Sequence, residues 1–155
     1  MRPQQTTRVP AVLDGLLELF AAAPDLAGVQ VIDGPALSME QIENDSISLA
    51  PGTPDEPGVF VTYAEQAGLG RVSYVEQIEV KLALVSFSGD SDMKARRDRA
   101  TELLDGIKNV VDANQTRAGA WDSLMLGPEA AWHPVQSQAG ATCAVGITLV
   151  TTSVI

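Results

Sequence analysis

The chain is poor in the residues that most often carry chemistry. Its 155 residues include one cysteine, Cys143, and one histidine, His133. A single cysteine excludes an intrachain disulfide framework. One histidine and one cysteine, so spaced, cannot by themselves furnish a zinc site. Basic residues are also scarce: ten Lys and Arg stand against twenty Asp and Glu, for a formal charge of −10. That balance argues against binding nucleic acid through its phosphates, which needs a basic footprint, and against docking on an anionic membrane. It remains compatible with a channel past which DNA slides, because like charges repel. No apolar run approaches the ~20 residues of a membrane span, and Met1 to Gln5 opens no signal peptide. A soluble protein kept inside the producing cell is the expectation.

Apolar residues make up 45% of the chain, enough for a packed core rather than disorder. The length fits one domain over residues 1–155, able to bury ~70% of its unfolded surface, with residues 1–7 expected to be flexible.

The chain is organised around the stretch from Arg71 to Asp92. Glu76, Ile78, Val80, Leu82 and Leu84 alternate with Gln77, Glu79, Lys81, Ala83 and Val85, the period of a strand with one dry face. Upstream, Val9, Val12, Leu13, Leu16, Leu17 and Phe20 mark one helix stripe, with Thr7 as a plausible cap and Pro24 as its end. Short strands are expected near Gly28–Asp33 and Ser46–Leu49, and Pro35 to Asn44 is ambiguous. A proline-rich loop follows from Ala50 to Gly58. Val59–Glu65 reads as a strand turning at residues 67–70 into the long one. Ser91 or Asp92 can cap a second helix, whose stripe is Met93, Ala100, Leu103, Leu104, Ile107, Val110 and Val111. Gly106 within it suggests close packing. A strand broken at Gly127-Pro128 and a last strand over Thr142–Val154 complete the order α-β-β-β-β-α-β-β. The expected fold is α+β, a largely antiparallel sheet covered on one face by two helices.

Candidate chemistry is thin. Gly89-Asp90-Ser91 resembles the Gly-Asp-Ser block of an esterase superfamily, but those enzymes need an Asp-x-x-His, and Ala130 stands three residues before His133. Helix capping accounts for Asp90, Ser91 and Asp92 without catalysis. Asp90 and Asp92 alone make a poor cation cage. No catalytic residue, metal or cofactor is assigned. Lys94, Arg96, Arg97 and Arg99 crowd the start of the second helix against its dipole. Two readings stand open: a solvated face tied by Lys94–Asp98 at i,i+4, or a contact patch for an acidic neighbour, including another copy of this chain. Tyr63, Tyr74, Trp121 and Trp132 are candidate interface anchors that serve equally well as core.

With these elements placed, residues 8–154 resemble a tail terminator protein of long-tailed bacteriophages. The likeness lies in the helix ending A-A-A-P-D-L, then G-V-Q-V-I-D-G-P, the strand I-E-V-K-L-A-L-V-S-F and the S-G-D-S-D cap. It continues through the helix T-E-L-L-D-G-I-K-N-V-V-D-A and the closing G-I-T-L-V-T-T-S-V. The resemblance implies a structural virion protein, made in the host cytoplasm and carried in the tail or neck. It implies a homo-hexameric ring that caps the tail tube, ends its polymerisation and joins it to the head–neck complex, with DNA passing through the lumen. The partners implied are further copies, the tail tube protein and a neck or stopper protein, with neither catalysis nor cofactor. The alternatives are another neck component, such as a stopper or head-completion protein, and a small ligand-binding module. If the basic cluster is a contact, Arg96→Glu combined with Arg97→Glu lowers the mass of the assembly in solution. A double variant that assembles like the parent would reduce the cluster to a solvated face.

Overall fold

A computed structural model describes residues 6–34, 45–68 and 71–155. The expectations for Pro35 to Asn44, for the first five residues and for the tip of the turn at 69–70 lie outside the described residues. The elements are α1 (Val9–Ala22), a short 3-10 turn (Pro24–Leu26), β1 (Gln30–Asp33), β2 (Asp45–Leu49), β3 (Val59–Gly68), β4 (Arg71–Ser88), α2 (Met93–Ala113), β5 (Ser123–Ser137) and β6 (Gly140–Val154). The expected α+β order holds, with two α-helices and six strands among the described residues, the strands in one mostly antiparallel sheet.

β4 is the axis of that sheet. Its 18 residues span about 60 Å at the usual rise per residue, long enough to serve two partners on one edge. β3 pairs with residues 71–80 and β2 with residues 82–86. The other edge pairs with β6 from Val75 to Ser88. The sheet then runs β1-β2-β4-β6-β5, and β1–β2 is its parallel pair. β5 slips register between Leu126 and Ala130, at the Gly-Pro break where the sequence interrupts the strand.

The alternation of β4 becomes burial. Glu76, Ile78, Val80, Leu82 and Leu84 are all sealed on the helix side, as are Cys143, Val145, Ile147 and Leu149 of β6. Onto this face α1 brings Val12, Leu16 and Phe20, and α2 brings Ala100, Leu103, Ile107, Val110 and Val111. Each large aliphatic group sealed this way contributes about 1.5–3 kcal/mol. Gly15 lets α1 sit directly on Trp121, since a Cβ there would lie 3.0 Å from the indole. Gly106 does the same for α2 against Leu26, at 2.9 Å, so the suspected close packing is real.

The caps differ in kind. Asp92 caps α2, its Oδ1 accepting from Ala95 N at 3.0 Å. Arg8, not Thr7, is the N-cap of α1, and its side chain makes no capping bond. The Thr7 hydroxyl, one residue before that N-cap, accepts from Val9 N, the first helical residue, at 3.2 Å. Gly140, with φ of +133°, turns β5 into β6 against the Ser88–Gly89 backbone, where a Cβ would fall 2.0 Å from the Ser88 carbonyl oxygen. Gly140→Ala should therefore lower unfolding stability by roughly 2–4 kcal/mol. A urea midpoint unchanged from the parent would mean that this backbone contact is not needed.

Candidate assembly interface

The helix dipole makes a basic first turn unfavourable, so those side chains need other partners. The structure divides the four between two roles. Arg96 Nη1 donates to Ser86 Oγ at 3.2 Å and to the Phe87 carbonyl at 3.3 Å. Arg99 Nε donates to Asp45 Oδ2 at 2.9 Å and its Nη1 to Glu102 Oε2 at 2.8 Å. Asp45 Oδ1 in turn accepts from Ser86 Oγ. This half-buried network ties the start of α2 to β2 and β4, and the carboxylates of Asp45 and then Glu102 raise the Arg99 guanidinium above its ordinary value. Lys94 forms the expected pair with Asp98 at 2.7 Å, exposed on both sides; a pair of that kind contributes little. Arg97 is exposed and, among the described residues, makes no ion pair. Two of the four candidate contact residues are thus internal fasteners, and Arg97 is the cation left for a partner. A variant reversing Arg96 as well would disturb the fastening of α2 along with any contact.

The aromatic candidates divide in the same way. Trp121 is fully buried and is the largest side chain in the core; its Nε1 donates to the Asn114 carbonyl at 2.9 Å. It therefore offers no surface to an interface. Trp132 remains 41% exposed at the outermost strand, Tyr63 53% and Tyr74 47%. Trp132 pairs in register with Val145, a buried helix-side residue, so the indole flanks α2 on the same side of the sheet as Arg97. Tyr63 and Tyr74 belong instead to the β3–β4 hairpin, apart from that group.

Tyr63 stands over a buried acid. Glu76 is sealed from water, and its Oε1 accepts from Arg8 N at 2.7 Å. The Tyr63 hydroxyl donates to the Thr6 carbonyl at 3.2 Å. Together these bonds hold the entry to α1 on the hairpin. The nearby Glu76 carboxylate, then partial desolvation, raises the Tyr63 phenol above its ordinary value.

The Gly89-Asp90-Ser91 segment is engaged in turn and capping bonds. Asp90 Oδ1 accepts from Asp92 N, the Asp90 carbonyl from Ala141 N, and the Ser91 carbonyl from the Gln136 side chain. His133 pairs with Ala144 on the opposite face of the sheet from α2, so it does not meet Ser91. Burial raises the thiol of Cys143. No group of three His, Cys, Asp or Glu side chains is placed to hold a metal among the described residues.

One surface escaped the reading of the sequence. The face of the sheet away from the helices is uncovered by either helix and carries mostly small or apolar groups: Ala83, Val85, Ala144, Gly146, Thr148 and Val150 in the centre. Phe60, Met125 and Val135 stand about half exposed on its flanks. An open depression of about 620 Å³ lies on it beside Lys81, His133, Glu56 and Glu129. The alternating positions of β6 hinted at this face, but their small side chains read equally well as wet or dry.

Compared with known proteins, the chain matches no family model and no curated protein sequence.

The Tyr63 assignment gives a pH test. A phenol with a raised value contributes stability while neutral, present below its unfolded value near 10 and lost as pH rises through the higher folded value. Glu76→Gln keeps an acceptor for Arg8 N but removes the charge, so it should bring the Tyr63 midpoint down in an ultraviolet titration. No movement would show that another group sets it.

Proposed function

We propose that this chain is a structural assembly protein, a ring-forming tail terminator that caps a phage tail tube, ends its polymerisation and joins it to the head–neck complex. The carrying observation is the chain-wide likeness in element order, strand patterning and helix cap, over an α+β fold of the kind that likeness implies. Three physical features support it. The net charge of −10 would keep a lumen from gripping DNA. The uncovered sheet face with Phe60, Met125 and Val135 exposed is surface that association can remove from water. Arg97 and Trp132, on one side of the molecule, are residue types enriched where interfaces draw most of their energy.

Another neck component, a stopper or head-completion protein, is the neighbouring reading within the same class. A small-molecule module is less favoured, because the depression at Lys81 and His133 is open and bordered by charges of both signs, whereas ligand pockets bury most of their ligand. Light scattering and electron micrographs of the purified protein test the proposal. Ring-shaped particles, and binding to the ends of tail tubes, are expected. A strict monomer that ignores tube ends would overturn it.

A further inference from the structure

The charge of this chain is unevenly placed. From Val9 to Gly70 there are ten Asp and Glu and no Lys or Arg, whereas from Arg71 onward eight Lys and Arg accompany ten Asp and Glu. The first stretch supplies α1, β1, β2 and β3, and the second supplies β4, α2, β5 and β6. In the sheet order β1-β2-β4-β6-β5, with β3 on the same edge of β4 as β2, the strands β1, β2 and β3, which carry acids and no bases, lie on one side, while Glu18 of α1 is paired with Arg117. On the other side β6 has no charged residue and β5 one acid, Glu129, while α2 carries five bases against four acids. Two copies meeting through their β1 sides would oppose like charge, which works against association. A contact between the β5 side of one copy and the β1 side of the next avoids that opposition.

The two edges also offer matching groups. On the β5 side, Trp132 is exposed on the helix side and Arg97 projects from α2 without an ion pair among the described residues. On the β1 side, Asp33 ends β1, which is outermost among the described strands, and is exposed and without an ion pair among the described residues. Val31 pairs with Ile47 and through it with Leu84, which places Val31, and by alternation Asp33, on the helix side too. Their heights agree: Asp33 is joined through Leu49 to Leu82, and Trp132 through Val145 to Leu84, successive helix-side positions of β4. Sheets set side by side would bring the two edges together with little stagger.

We propose that successive copies associate head to tail, the β5 edge and N-terminal turns of α2 of one copy meeting the β1 edge of the next, with Arg97 pairing to Asp33 across the contact. Such a heterologous contact uses two different patches on each copy and closes into a ring when the rotation allows. The inference rests on the self-assembling reading above and specifies its contact.

A charge swap tests it. Arg97→Asp and Asp33→Arg, both at exposed positions, should each raise the concentration at which the assembly dissociates by about tenfold or more. Circular dichroism should show both variants folded. An equimolar mixture of the two should recover the parent mass, because alternating copies place opposite charges at every contact. The inference is overturned if either variant assembles like the parent, if mixing recovers nothing, or if the parent stops at a two-fold dimer. A strictly monomeric parent would remove the ring proposal itself. A ring indifferent to both substitutions would remove this contact alone.

Discussion

A strand with one dry side and one wet side governs the rest of this fold. β4 buries Ile78, Val80, Leu82 and Leu84 beneath the helices while Gln77, Glu79, Lys81 and Ala83 face away. A register shift of one residue would expose the whole apolar set, so every neighbour must keep the same phase. β6 does so across fourteen paired positions, and β2 and β3 do so end to end along the opposite edge. Both helices then have one surface on which to lie, and the core is a single layer between helices and sheet.

The helix side is locked by polar fasteners as well as by burial. The Asp45, Ser86, Arg96 and Arg99 group joins two strands to α2, and Glu76 holds the backbone at the entry to α1. Their hydrogen bonds offset part of the lost hydration, and Glu76 Oε2 and Arg96 Nε stay buried without a hydrogen-bond partner among the described residues. The bonds also fix where the helices start, which packing of interchangeable aliphatic groups alone would define less sharply. Among the described residues the opposite face is covered by no helix, and its polar fastening is the Ser123–Thr152 hydroxyl pair. The helix side is thus the rigid side of the molecule.

Much of this was legible before any coordinates. The helices, the long strand, the cap at Asp92, the break at Gly127-Pro128 and the tight place at Gly106 are local signals, carried by period, propensity or a missing side chain. The candidate interface was legible only as a mixed list. Arg97 shared its helical turn with Arg96 and Arg99, and nothing in the spacing revealed that Asp45, about fifty residues earlier, claims Arg99. Trp121 and Trp132 lay in similar surroundings, yet one anchors the core and the other sits at an edge.

Element order, the α+β class and the acidity follow from neighbours along the chain and from simple composition. It took the tertiary structure to show that β2 and β3 share one edge of β4 and that β1 runs parallel to β2. It likewise shows which cations are paired inside the molecule, as Arg99 is with Asp45. The physical reason is that strand pairing and ion pairing join residues far apart in the chain, and periodicity within one segment carries no information about the partner it will meet.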